Sequence, residues 1–274
     1  MDTTSAAGGL KMGENSRFIP GIYNYCDRWC ERCAFTRRCT VFAMEEKQFP
    51  DDESRNIHNK KFWDELHHSF KLTIELLHDF TKEHGIDLNA IDYEEEKKRN
   101  RARTKKVKEN PVAIAANKYS KMATEWLVHL EGLFEEKQNV LTEQYELGID
   151  APAANGTAAA SILDAMEVIR WYQDQIWVKL MRALEGEELE KEIQEDEVVE
   201  STEGGPRDSD GSAKVALIGV DRSIGAWGEL QKHFEDQGDS IMNILIYLSR
   251  LRTSIERRFP HARRFVRPGF DQEV

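Results

Sequence analysis

Residues 158–184 read AAASILDAMEVIRWYQDQIWVKLMRAL, and this stretch decides the fold class. One series of apolar side chains recurs at helical spacing: Ile162, Met166, Ile169, Ile176, Leu180 and Leu184. A second series lies on another side: Leu163, Trp171, Val178 and Met181. A helix that is apolar around most of its circumference is buried among other helices. The stretch therefore predicts the central helix of an all-α protein.

Three further segments with helical periodicity flank this central one. They are predicted over residues 52–84, 111–145 and 210–255. The last of them is expected to be interrupted near Gly238, and a loop containing proline and glycine is expected at 151–157. No segment shows the alternation of a strand. The pattern predicts an up-and-down bundle of about four long helices within residues 51–270.

Two charged segments interrupt the apolar pattern and are expected to leave the bundle as excursions. Residues 94–108 combine three glutamates with eight lysines and arginines, and residues 185–209 are rich in glutamate. The formal net charge of the chain is -12, which argues against a nucleic-acid partner because phosphate binding needs positive charge. The basic run also lacks interleaved aromatic side chains for base stacking, so a solvated helix is expected there.

The two ends of the chain predict its location and its partners. Residues 1–16 are small and polar, are expected to be disordered, and lack the apolar run of a signal peptide. The longest apolar run, residues 241–248, is far shorter than the roughly 20 residues of a membrane span. A cytoplasmic protein is therefore expected. The C-terminal tail alternates arginines with Phe259, Phe265 and Phe270, which indicates a protein partner or self-association, with docking on the acidic segment of this chain or on a second copy.

The four cysteines of the chain all lie within residues 17–50, ahead of the predicted bundle. They are Cys26, Cys30, Cys33 and Cys39, with the spacing C-x3-C-x2-C-x5-C. In a reducing compartment such a cluster is more typical of metal binding than of disulfides. If the segment is helical, the first three sulfurs lie on one face and the fourth returns from a short loop. Residues 17–50 are therefore predicted to be a metal-binding arm.

Basic and aromatic side chains accompany the cysteines. The basic ones are Arg28, Arg32, Arg37 and Arg38. We expect these arginines to lower the pKa of the thiols and to offset the negative charge of their thiolates. We expect Trp29 and Phe35 to exclude water, which tunes the potential of a metal centre.

The spacing of the cysteines bears on which metal they bind. Thiolates suit both zinc and iron–sulfur clusters. Structural zinc is commonly held by two short knuckles on either side of a longer span, whereas one compact loop favours a 4Fe–4S cluster. The portion C-x2-C-x5-C from Cys30 to Cys39 resembles the cluster loop of iron–sulfur DNA glycosylases of the endonuclease III type and of RecB-like iron–sulfur nucleases. Those families often carry proline where this chain has Ala34. The resemblance covers about ten residues and implies a 4Fe–4S cluster, not a DNA repair activity.

Other interpretations of the cysteines remain open. The first three match C-x3-C-x2-C, the pattern of radical S-adenosylmethionine enzymes, but no strands are predicted and Cys39 is present as a fourth ligand. A cluster with four protein ligands would be structural, redox-sensing or electron-relaying. The alternatives are a zinc-stapled interaction module without redox activity, and four unligated thiols.

A helical bundle can also hold a second metal, which would make this protein an enzyme. The Glu-x-x-His pattern of di-iron proteins occurs at Glu65/His68 and Glu75/His78, both on one predicted helix. Pairs spaced by four residues occur at Glu125/His129 and Glu229/His233. A mixed site would combine Glu75, His78, Glu125, His129 and Glu167.

Two carboxylates of the central helix, Asp164 and Glu167, are the ones expected to be buried. Buried charges need partners, and Arg170 or Arg222 would serve. The alternative for all these residues is a set of surface ion pairs, which the high charge content favours. The sequence assigns no reaction.

Overall fold

The computed structural model of the chain describes residues 17–90, 92–129, 152–196 and 207–271, together with positions 132, 139 and 143. Among these residues the regular secondary structure is helical and no strand occurs, which confirms the predicted all-α class. The helices with described bounds are α1 (Thr40–Gln48), α2 (Asp52–Arg55), α3 (Lys60–Glu83), α4 (Tyr93–Lys108), α5 (Pro111–His129), α6 (Pro152–Asp196), α7 (Asp208–His233) and α8 (Gly238–Arg258). None of the helices in this part of the chain combines the length and apolar character that a membrane crossing requires.

The chain divides into two compact units. The first, which we call the cysteine unit, comprises residues 1–90 and 267–274, and the second, the helical unit, comprises residues 91–266. Helices α1 to α3 therefore belong to the cysteine unit and α4 to α8 to the helical unit. The sequence pattern had placed the segment 52–84 in the bundle.

The segment predicted as one helix over 52–84 forms two helices, α2 and α3. The side chain of Asp51 accepts a hydrogen bond from the N–H of Ser54 at 2.8 Å and so caps α2. Asn59 caps α3 in the same way. Each cap starts a new helix, which explains the break between them. Gly85, with φ +64°, follows the end of α3 as expected.

Helices α5 to α8 make the core of the helical unit. Helix α6 packs against α5 and α7, and α8 packs against α7 and α5. Fully buried aromatic side chains fill the centre, where the indole N–H of Trp227 donates to the hydroxyl of Tyr119 at 3.1 Å. Helices α6 and α7 approach closely at Gly219, which has no side chain. A Cβ on Gly219 would lie 2.9 Å from Cδ1 of Tyr172.

Helix α6 differs from its sequence-based prediction at its start and around its circumference. It begins at Pro152, so part of the loop expected at 151–157 is helical; proline is tolerated there because the first turn needs no N–H donor. Its buried residues lie on one side, whereas Leu163 and Val178 on the other side are half-exposed. The interpretation of α6 as enclosed all round was wrong.

The C-terminal end of α6 is helical where an excursion was expected. Residues 185–196 continue the helix, and Glu187, Glu188 and Glu192 have cationic partners on neighbouring helices. Glu192 pairs with Arg103 of α4 at 2.8 Å, and Glu187 pairs with Arg258 of α8 at 2.9 Å. The predicted excursion at 94–108 is α4 itself, held against α6 in part by such pairs. The rest of the acidic segment, 197–206, lies outside the described residues, as does most of 130–151.

Candidate metal centre

Three short 3-10 turns carry the cysteines. These turns are Ile22–Tyr25, Cys30–Arg32 and Thr36–Arg38. Cys26, Cys33 and Cys39 each follow the end of one turn in extended conformation. The segment is therefore not an α-helix, and three sulfurs on one helical face are not found. Repeated short turns reverse the chain often enough to bring distant positions of a 14-residue segment together.

Local hydrogen bonds hold these turns. The N–H of Cys33 donates to the carbonyl of Cys30 at 3.1 Å, and the N–H of Cys39 donates to the carbonyl of Thr36 at 3.2 Å. The N–H of Phe35 donates to Sγ of Cys33 at 3.4 Å. An N–H directed at a cysteine sulfur is the kind of contact that stabilises a thiolate ligand.

All four cysteines line a single cavity. Aromatic side chains form much of the rest of its wall: Tyr23, Trp29, Phe35, Phe42 and Phe270. Trp29 is 5% exposed, and Arg28 before it has a φ of +60°, a left-handed conformation that redirects the chain. The structure thus places the four predicted ligands in the wall of one cavity, together with Trp29 and Phe35.

The C-terminal segment completes the cavity, and sequence reasoning missed this. The ring of Phe270 meets the ring of Phe35 edge-to-face, with 5.1 Å between centroids. Gly269 has φ +77°, and a Cβ on it would lie 2.8 Å from Cδ1 of Ile19. Phe270 therefore docks on the cysteine unit of its own chain, whereas Arg258, earlier in the tail, pairs with Glu187 of the acidic segment as expected. The turn Pro268–Gly269 ahead of an aromatic residue was the available signal.

Burial disfavours the thiolate form of Cys30 and of Cys33. Burial raises the pKa of Cys30 to about 11, and the neighbouring Cys26 adds to the effect. Burial also raises the pKa of Cys33, partly offset by the N–H of Phe35. The expectation that arginines lower these thiol pKa values was wrong for both residues: Arg32, for example, lies over the ring of Trp29 at 4.2 Å. A cation that binds the thiolates would therefore displace protons.

The spacing of the side chains tests a single-ion site. Among the described residues, no three His, Cys, Asp or Glu side chains are close enough to hold one metal ion. Four thiolates on one zinc, each at about 2.3 Å, would bring the sulfurs within about 4 Å of one another. The sulfurs of a 4Fe–4S cluster stand farther apart, because each binds a different iron. Four thiolates suit either metal centre by their chemistry, and the cavity of about 30 Å³ would have to open to admit a cluster.

The residues considered for a second metal site lie on exposed helix surfaces. Glu75, His78, Glu125 and His129 are exposed on α3 and α5. Asp164 and Glu167 are also exposed, so their expected burial was wrong: they fall on the side of α6 that faces away from its core residues.

The Glu229 and His233 side chains are in contact on one helix. Nε2 of His233 lies 3.4 Å from Oε1 of Glu229, which accepts from the hydroxyl of Ser161, and Oε2 of the same carboxylate accepts from Lys232. The hydrogen bond from Lys232, and to a smaller extent the one from Ser161, lowers the pKa of this carboxyl to about 2. The carboxylate of Glu229 thus forms a surface ion pair with Lys232, the kind of interaction that the high charge content favoured.

Comparison with known proteins adds no relative. No protein-family model, no curated protein and no solved structure matches the chain. The resemblance of the segment from Cys30 to Cys39 to glycosylase and nuclease loops therefore stays a prediction based on those residues alone.

Proposed function

We propose that the cysteine unit binds a 4Fe–4S cluster through Cys26, Cys30, Cys33 and Cys39, in a structural, redox-sensing or electron-relaying role. The observation that carries the proposal is that all four cysteines line one cavity with aromatic walls. Four protein thiolates would occupy one ligand position on each iron, and none would be left open for a substrate.

The residues around the cysteines have defined tasks in this proposal. Trp29 and Phe270 exclude water from the sulfurs, which affects the potential of the centre. The N–H of Phe35 stabilises the thiolate of Cys33. The arginines of the segment are exposed, so they offset the charge of the centre from its outer side rather than acting on individual thiols.

The helical unit would be the scaffold of a cytoplasmic protein, with α5 to α8 as an up-and-down four-helix bundle. Its basic helix α4 does not favour a nucleic-acid partner, because part of its charge is used within the chain. Arg103 pairs with Glu192, and Lys106 pairs with Glu188. A nucleic-acid surface would instead present its cations to solvent.

Anaerobic purification followed by visible spectroscopy and iron and sulfide analysis tests the proposal. We expect a brown protein with about four irons and four sulfides per chain. Replacement of Cys30 or Cys39 by serine should remove most of the absorbance, while Ala34→Ser, an exposed change in the same segment, should leave it intact. A colourless protein with one zinc per chain would contradict the proposal and support the zinc-stapled module.

A further inference from the structure

Helix α3 presents an apolar stripe to solvent. None of its residues is buried, although it is 24 residues long. Five large side chains of the stripe are each about half-exposed: Trp63, Phe70, Ile74, Leu77 and Phe80. The stripe is larger than the scattered exposed residues of an ordinary surface, and such patches mark interaction sites.

The spacing of the stripe fits another helix. Six positions along it alternate by three and four residues, with Ile74 beside this series: Trp63, Leu66, Phe70, Thr73, Leu77 and Phe80. This is the a/d pattern of a coiled coil over three heptads, with Thr73 as the polar member. A strict spacing of this kind keeps one seam directed at a partner helix along its whole length.

Helix α3 contacts α1 and the residue after it, Phe49, through the first half of α3. The ring of Phe62 stacks on the ring of Phe49 at 5.6 Å, and the side chain of Gln48 donates to the carbonyl of Glu65 at 3.4 Å. From Phe70 onward the stripe is exposed. Since a helix with little packing is only marginally stable in water, the second half of α3 needs a partner.

We propose that α3 pairs with α3 of a second copy of this chain, in antiparallel orientation. The first half of the helix, 60–71, carries three lysines and two carboxylates, and the second half, 72–83, carries one lysine and three carboxylates. Antiparallel pairing sets these oppositely charged halves against each other and also opposes the helix dipoles favourably. A two-fold axis makes the stripe its own partner.

The area is sufficient for such a dimer. Half-exposed large side chains contribute on the order of 100 Å² each, so that two stripes would bury about 1,000 Å². This is the lower end of specific interfaces and corresponds to a dimer that dissociates on dilution.

The polar face of α3 argues against a membrane as the partner. Helices that lie on membranes carry an excess of lysine and arginine on their polar face. Helix α3 has four lysines against five carboxylates. An anionic lipid surface would therefore not attract it.

Sedimentation equilibrium of the full-length chain over a range of concentrations tests the proposal. We expect a monomer–dimer equilibrium that Leu77→Glu weakens at least tenfold. Leu72→Glu is the matched control, because Leu72 is 46% exposed on the same helix but lies away from the stripe. The dimer dissociation constant of Leu72→Glu should stay within about twofold of the wild-type value, since glutamate and leucine have similar helix propensities. A monomer at all concentrations, or equal effects of the two changes, would overturn the proposal.

Cross-linking tests the orientation. A zero-length carbodiimide reagent is applied to a mixture of ¹⁴N- and ¹⁵N-labelled chains, and the mixed-isotope cross-links are identified by mass spectrometry. Antiparallel pairing is expected to join Lys60 to Glu83 of the other copy. Mixed-isotope links from Lys82 to Glu83 in their place would show a parallel pair and overturn the orientation. Both tests are independent of the metal content.

Discussion

The helical unit and the cysteine unit are stabilised by different means. In the helical unit, apolar side chains from α5 to α8 form an extended buried core around Trp227 and Tyr119. In the described part of the cysteine unit, the buried apolar side chains are Ile22 and Trp29. A small unit with so little core is usually held by disulfides, a metal or a partner. The comparison implies that the helical unit folds by itself and that the cysteine unit depends on the proposed cluster.

Removal of the proposed cluster should give the largest difference between the two units. Because the site contributes its binding free energy to folding, treatment with a chelator and an oxidant should expose the amides of residues 17–50 to rapid hydrogen exchange. The amides of α5 to α8 should keep their protection. Loss of protection in both units, or in neither, would contradict the distinction between them. Hydrogen exchange with mass spectrometry provides the measurement.

A pair of tryptophan substitutions should separate core from surface. Trp227→Ala removes a fully buried side chain and should lower the free energy of unfolding of the helical unit by about 3–5 kcal/mol. The control is Trp63→Ala, since Trp63 is 50% exposed on α3 and should cost less than about 1 kcal/mol in the isolated chain at low concentration. Urea unfolding followed by circular dichroism measures both. Similar losses in the free energy of unfolding for the two variants would show that burial of the tryptophan does not determine its contribution to stability.

A glycine pair should sharpen the comparison at the level of the backbone. Gly269→Ala places a Cβ against Ile19 at a φ of +77°, and we expect it to destabilise the cysteine unit by about 1–3 kcal/mol. Gly225→Ala in α7 meets nothing within 4 Å and should stabilise the helical unit by about 0.5–1 kcal/mol. Thermal unfolding, followed by a fluorescence signal specific to each unit, shows whether each change lowers or raises the stability of its unit. If Gly269→Ala left the stability of the cysteine unit unchanged, the C-terminal segment would not contribute to the stability of the site.

Acid should have the smallest effect, at the cap of α2 in the cysteine unit. Lys61 and the N–H of Ser54 lower the pKa of Asp51 to about 2. A lowered pKa means that this cap stabilises the helix above the ordinary aspartate pKa, near 4, and that its contribution is lost as the pH falls toward 2. Amide chemical shifts of residues 52–55 should report the loss, and Asp51→Asn should shift them much less with pH. Equal titration of both proteins would place the effect elsewhere.

Periodicity predicted most of the helices but not what covers them. The apolar spacing in α5 to α8 indicated buried faces, and the structure confirms helices there. The same spacing in α3 indicated a bundle helix, yet that helix belongs to the other unit and its stripe is exposed. An amphipathic pattern states that one face avoids water and contains no information about which element covers that face.

The candidate site was predictable in its composition but not in its backbone. The spacing of Cys26, Cys30, Cys33 and Cys39 identified residues that the structure brings to one cavity. Their three short turns depend on local hydrogen bonds that periodicity does not reveal. The contact of Phe270 with Phe35 joins positions more than two hundred residues apart, and a single sequence does not show such a contact. The ion pairs between α4 and α6 were missed for the same reason.

Native mass spectrometry of the anaerobically purified, full-length chain tests the central claim most directly. The proposed 4Fe–4S cluster should add roughly 350 Da to the mass of the polypeptide, for four irons and four sulfides. The addition should disappear in the Cys30→Ser variant and persist in Ala34→Ser. An addition of about 65 Da, for one zinc, or the mass of the bare chain, would contradict the claim.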